Sequence, residues 1–247
     1  WTYSMPEEEQ MYALPGSHEE WKAAVIDRVS DMYYRDRNHP SVLIWSLGNE
    51  SYCGTNFRAM ADFLRERDST RLVHYEGQSH CPGYEDVSDM NSTMYTHVDQ
   101  WIAGYSEREK PAILCEYVHA MGNSCGSFVK YTEAFEKYPR LQGGFVWDYV
   151  DQAILTRDEN GKEYLGYGGD FNEGYHDGNF SGNGLMFADR TETPKIKEAR
   201  ICYQNIVFES ADWAKGEVTL KNRSLFTDLD SYEFRWSLYA DEEKKDC

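Results

Sequence analysis

Two apolar runs in this chain each lead to a glutamate, and that pairing restricts the folds open to it. Val42-Leu43-Ile44-Trp45 leads through Ser46-Leu47-Gly48-Asn49 to Glu50, and Pro111-Ala112-Ile113-Leu114 leads through Cys115 to Glu116. Short apolar runs of this kind, bounded by turn residues, read as buried strands. The two glutamates lie 66 positions apart, about the span of two or three strand–helix units. One glutamate just past a strand is ordinarily a solvated residue. Two of them make a candidate pair, because the C-terminal strand ends of an α/β barrel carry its chemistry.

The intervening text has the alternation such a barrel requires. Residues 19–35 carry an apolar stripe at 21, 25, 29, 32 and 33, which predicts a helix stopped by Asn38-His39-Pro40. Val42 to Leu47 is the first strand. Asn56 to Arg67 is the next helix, with Phe57, Met60, Ala61 and Leu64 on one side. Strands follow at 71–75, 89–95, 111–115 and 142–147, with a helix over 127–137. Five strands alternating with helices point to a parallel sheet covered on one face, and a closed barrel needs eight. After Trp147 the pattern changes: Asp158 to Lys162 is a turn, and Gly166 to Gly184 is a glycine-rich, aromatic loop. From Val207 it alternates, with strands expected at 217–222 and 232–239, as at the start of a β-sandwich.

Longer motifs surround both glutamates. Arg35-Asp36-Arg37-Asn38-His39-Pro40-Ser41-Val42, running into Trp45-Ser46-Leu47-Gly48-Asn49-Glu50-Ser51, resembles the acid/base signature of glycoside hydrolase family 2. Cys115-Glu116-Tyr117-Val118-His119-Ala120-Met121-Gly122-Asn123-Ser124 resembles that family's nucleophile signature, in the form typical of its large β-galactosidases. Residues 138–148 and 183–190 continue the likeness, which runs from about Trp21 to about Gln204. The resemblance implies a (β/α)8 TIM barrel represented by about its strands 4–8. It places the barrel over residues 1–205 and the start of an immunoglobulin-like β-sandwich over 206–247.

By the same resemblance, Glu50 is the acid/base and Glu116 the nucleophile of a retaining exo-β-galactosidase acting on terminal β-galactosides such as lactose. Retention needs the two carboxyls roughly 5–5.5 Å apart. Asn49 corresponds to the contact with the sugar 2-hydroxyl, and Tyr95 to the tyrosine that orients the nucleophile, a plain core tyrosine being the alternative. His119 matches a position at the 6-hydroxyl. Trp147 matches the platform under the galactose ring, against a capping core tryptophan. The Phe180 carbonyl and Asn183 match two sodium ligands, although the loop also suits a simple turn. Glu50 itself matches one magnesium ligand, with a Glu-x-His pair expected upstream of Trp1. Ser51-Tyr52-Cys53-Gly54 departs from the family's usual Ser-Gly-His-Gly, which bears on loop contacts beside the acid.

Composition narrows the alternatives. A formal charge of −18 excludes a nucleic-acid binder, since a polyanion partner needs a basic face. The acidity is not confined to a tail, because residues from Ile206 onward hold 10 acidic and 6 basic side chains. Six cysteines without a Cys-x-x-Cys pair read as reduced thiols and a cytoplasmic location. No apolar stretch approaches a membrane span and no signal peptide is visible within the chain, while its start at Trp1, without an initiator Met, leaves an upstream leader open. The aromatic content of 15% fits sugar stacking as well as core packing. Another family exo-glycosidase such as a β-glucuronidase, or a non-catalytic carbohydrate-binding piece, stays open at this stage. A homo-oligomer of the full-length protein is an expectation no feature of this chain addresses. With three barrel strands lying outside it, the 247-residue chain alone is expected to be inactive or poorly folded. A cooperative melt together with aryl-galactoside hydrolysis by the isolated chain would overturn that.

Overall fold

The computed structural model describes residues 6–10, 12–240 and 243–245. It divides into two compact units, Trp1–Glu198 and Ala199–Cys247. The first opens on a single turn, α1 (Glu7–Gln10), and the long helix α2 (Glu19–Asp36). Then come β1 (Ile44–Ser46), α3 (Thr55–Arg67), β2 (Leu72–His74), β3 (Asn91–Met94), α4 (Val98–Tyr105), β4 (Ala112–Tyr117), α5 (Phe128–Lys137) and β5 (Leu141–Val146). All five expected strands form. β1 pairs with β2, and β3 with β4 and β5, every pairing parallel. The two ladders meet below β3, where the Asp89 N–H donates to the Val73 carbonyl at 2.8 Å and the Val73 N–H to Asp89 Oδ2 at 2.7 Å.

Strand residues alternate between two apolar or polar environments, as a period of two requires. Trp45, Val73 and Leu114 are buried against the helices. Ile44, Ser46, His74, Ile113, Cys115 and Phe145 face the opposite side and line a cavity. The helices cover the sheet through their apolar stripes. α3 buries Phe57, Met60, Ala61 and Leu64 beside the polar Asn56, and α5 buries Phe128, Tyr131 and Ala134 beside the polar Thr132. Each such large apolar side chain contributes about 1.5–3 kcal/mol on burial. Helix α4 is an addition to the sequence reading, although Val98, Trp101, Ile102 and Tyr105 carry a helical spacing that would have disclosed it.

Asp68, only 9% exposed, ties the turn after α3 to β1. It accepts hydrogen bonds from the Trp45 indole (2.9 Å), the Thr70 amide (2.9 Å) and hydroxyl (2.6 Å), and the Arg71 guanidinium (2.7 Å). Burial alone would raise its pKa, but the bonds from Thr70, Trp45 and Arg71 outweigh that and hold it well below the usual carboxylate range.

Beyond β5 the turn at Asp158–Lys162 joins an antiparallel hairpin, β6 (Ile154–Arg157) and β7 (Glu163–Gly166). The glycine-rich stretch is a loop with one 3-10 turn at Gly178–Ser181. α6 (Pro194–Cys202) starts on proline, with the Lys195 N–H donating to the Thr193 hydroxyl at 3.2 Å.

In the second unit β8 (Ile206–Asp212) and β9 (Glu217–Asn222) form a hairpin, and β10 (Leu238–Ala240) pairs with β11 (Glu243–Lys245). The strand expected over 232–239 is reduced to its last residues. Phe234 and Trp236 stay 61% and 64% exposed, so the alternating pattern there meets no second face to cover. Cys53, Cys81, Cys115, Cys125 and Cys202 are free thiols, while Cys247 lies outside the described residues. No helix of the described residues is long and apolar enough to cross a membrane. Asp68→Ala is expected to destabilise the chain by about 3 kcal/mol or more, because Arg71 and Trp45 lose a buried partner. Denaturant unfolding of the two forms measures it.

Candidate active site

Five parallel strands place their C-terminal ends on one side, and there a cavity of about 450 Å3 opens. Asn49, Glu76, Glu116 and Trp147 are among its walls. Glu50, the neighbour of Asn49, sits half-buried in a left-handed backbone conformation (φ +49°). Burial above all, then the charge of Glu116 and then that of Glu76, raises its pKa from the ordinary carboxylate value. A raised carboxyl keeps its proton to higher pH, as a general acid must.

Glu116 is held by Tyr95 at two points. The Tyr95 hydroxyl donates to Glu116 Oε2 at 2.5 Å, and the Tyr95 N–H donates to the Glu116 carbonyl at 2.9 Å. The ladder register slips between Thr93 and Met94, so Tyr95 leaves β3 with φ +51° and turns over the end of β4. Burial, the hydrogen bond to Glu116 and that residue's charge all push the Tyr95 phenol above the ordinary tyrosine value, so it stays a donor at neutral pH. The plain core tyrosine does not describe this residue, which is 43% exposed.

The remaining sequence candidates form a run of contacts that starts at Tyr95. The His119 ring lies 5.7 Å from that of Tyr95 and 6.1 Å from that of Phe180, centroid to centroid. Asn183 is 2% exposed, and its Nδ2 donates to the Phe180 carbonyl at 3.0 Å. Its Oδ1 is buried without a hydrogen-bond partner. An orphaned oxygen next to a carbonyl suits a hard cation, so this pair fits the expected sodium ligands. Magnesium is different. Of the expected ligands this chain supplies Glu50 alone, and among the described residues no group of three or more His, Cys, Asp or Glu is placed to hold a metal.

Sequence reasoning passed over two residues here. Glu76, 3% exposed, accepts the Glu50 N–H at 2.6 Å through Oε1. His74 sits one layer below, bridging Ser46 Oγ (2.9 Å) and Ser92 Oγ (2.8 Å) and so linking β1, β2 and β3. Burial lowers its pKa to about 4, so the ring is neutral at physiological pH. Beside it, burial pushes the Cys115 thiol up to about 12. The signal for both missed residues was faint: a polar pair inside the strand text Leu72-Val73-His74-Tyr75-Glu76.

Residues 2–208 match the family described as glycosyl hydrolases family 2, TIM barrel domain. A β-galactosidase of Priestia megaterium is 53% identical over 239 residues, covering 96% of this chain and 23% of its own length. One from Clostridium acetobutylicum is 47% identical over 236 residues, covering 94% of this chain and 26% of its own. The chain thus spans about a quarter of the length of these curated relatives. Among solved structures, a β-glucuronidase of Faecalibacterium prausnitzii superposes with a TM-score of 0.51 at 19% identity, over 73% of this chain and 34% of its own. Ruminococcus gnavus β-glucuronidase does so at 0.52 and 18%, over 74% and 36%. At that identity the likeness is one of fold.

The low pKa of His74 has a measurable consequence. Unfolded, the ring titrates near 6.5, and folded at about 4. Between those values the unfolded chain binds the extra proton, so stability is full above pH 6.5 and declines as the pH falls towards 4. The decline due to this residue is on the order of 3 kcal/mol. Melting across that window is expected to be steeper for the wild type than for His74→Gln.

Proposed function

This chain belongs to glycosyl hydrolase family 2, and from that premise we propose that it works as a retaining exo-β-galactosidase, with Glu50 as acid/base and Glu116 as nucleophile. The observation that carries the reading is the unequal treatment of the two carboxyls. Burial and a neighbouring negative charge favour the proton on Glu50, while the Tyr95 hydroxyl orients Glu116.

In the first step Glu50 passes its proton to the glycosidic oxygen as the bond from that oxygen to the anomeric carbon breaks. A Glu116 oxygen forms the new bond to that carbon. Glu50, now ionised, takes a proton from water, whose oxygen displaces Glu116 and releases the sugar. Asn49 serves the 2-hydroxyl, His119 the 6-hydroxyl, and Trp147 lies under the ring. Phe180 O and Asn183 Oδ1 are the atoms that would hold a sodium ion, which would supply a fixed positive charge for a sugar hydroxyl. Glu50 would also supply one ligand to a magnesium ion, whose other ligands the resemblance expects ahead of Trp1.

Substrate charge follows from the walls. The described cavity lining contains Glu76 and Glu116, a neutral His74, and neither Lys nor Arg. A uronic acid would meet negative charge without a basic partner, so a neutral galactoside such as lactose suits the site and a glucuronide does not. The names of the relatives at 47–53% identity agree. In this reading β1 to β5 are the fourth to eighth barrel strands, the barrel ends at residue 205, and 206–247 begin a β-sandwich domain, which the β8–β9 hairpin supports. Free thiols support a cytoplasmic setting, and the acidic surface leaves nucleic acid out as a partner. A homo-oligomer of the full-length protein belongs to the same reading.

In the full-length protein, Glu116→Gln is expected to lower release of nitrophenol from an aryl β-galactoside on the order of 10^4-fold or more, while galactoside binding remains measurable. Near-normal turnover would remove Glu116 from its role. Absence of any turnover in the wild type would leave a binding module.

A further inference from the structure

The loop that carries Glu50 is fastened to a segment that neither glutamate motif contains. Three of its backbone amides donate to side chains of residues 75–81. The Glu50 N–H goes to Glu76 Oε1 at 2.6 Å, the Ser51 N–H to the Tyr75 hydroxyl at 3.0 Å, and the Cys53 N–H to Cys81 Sγ at 2.9 Å. The Tyr75 hydroxyl in turn donates to the Ser51 carbonyl. All three acceptor side chains are buried, at 0%, 3% and 0% exposure for Tyr75, Glu76 and Cys81. The packing leaves no slack: a Cβ on Gly77 would lie 2.7 Å from the Tyr75 ring.

The bond at Glu50 sits where the chain most needs it. A glutamate at φ +49° is in a conformation that L residues avoid, and it persists only where its surroundings enforce it. A buried side-chain oxygen that accepts this N–H fixes the peptide by its reach and direction, since a buried amide left without its acceptor is costly. Glu76 also lines the cavity, so one side chain touches both the Glu50 backbone and the wall of the space a substrate would occupy. Such a bond sets the peptide from which the Glu50 side chain departs, and therefore where its carboxyl is aimed.

We propose that Glu76 is a positioning residue for the acid/base, its carboxylate clamping the Glu50 amide so that the Glu50 carboxyl is held towards the glycosidic oxygen. This rests on the reading of Glu50 as acid/base. Proton donation matters for a poor leaving group and little for one that departs as a stable anion. The test therefore compares kcat/KM for phenyl and 2,4-dinitrophenyl β-galactosides in the full-length protein, with melting recorded for each variant.

Glu76→Asp keeps the charge and withdraws the oxygen by one carbon. It is expected to lose about 10- to 100-fold on the phenyl substrate and less than about 3-fold on the dinitrophenyl one. Glu76→Gln keeps the reach and an acceptor oxygen, and is expected to stay within about 3-fold of wild type on both. Equal losses on both substrates by Glu76→Asp, no loss by it, or a Glu76→Gln variant as selectively impaired as Glu76→Asp would overturn the clamp. Glu50→Ala is the control. If it shows no leaving-group bias, the acid/base reading fails; if it shows the bias and Glu76→Asp does not, only the clamp fails.

Discussion

The parallel ladder of β3, β4 and β5 is the constraint from which the site follows. Parallel strands joined by helices put every C-terminal end on one side of the sheet, so residues distant in sequence arrive together without dedicated contacts between their loops. Where the ladder loosens, at Thr93/Met94 and again between Leu114 and Tyr117, the backbone is free to turn. Tyr95 uses that freedom to fold back over Glu116, and Trp147 follows directly on β5.

Charge is then arranged with little help from cations. Glu50, Glu76 and Glu116 share a partly desolvated region, where like charges interact more strongly than in water. The repulsion is put to use on Glu50, while hydrogen bonds occupy the other two: the Tyr95 phenol on Glu116 and the Glu50 amide on Glu76. Below them the chain Ser46–His74–Ser92 runs across three strands as neutral hydrogen bonds. A neutral layer lets burial proceed without adding charge to a site that already carries three carboxyls.

The same site separates what can be recognised locally from what cannot. Glu50, Glu116, Asn49, Tyr95, His119, Trp147, Phe180 and Asn183 lie in motifs long enough to read, and the structure brings them to one end of the sheet or into contact with one another. The five strands and the buried faces of α3 and α5 were legible for a simpler reason, since period 2 and period 3.6 are properties of neighbouring residues. The segment 232–237 shows where that reasoning stops, because alternation makes a strand only when another edge and a covering face are present.

Residue order alone disclosed the five parallel strands, the helices α2, α3 and α5, and two glutamates at or just beyond strand ends, since each depends on spacing within a few residues. It could not supply Glu76 or His74. Both owe their importance to what burial places across from them: a backbone amide 26 residues away in one case, serines on two neighbouring strands in the other. A buried carboxylate and a neutral imidazole are defined by the absence of water and the presence of a partner, and only the assembled sheet creates both conditions.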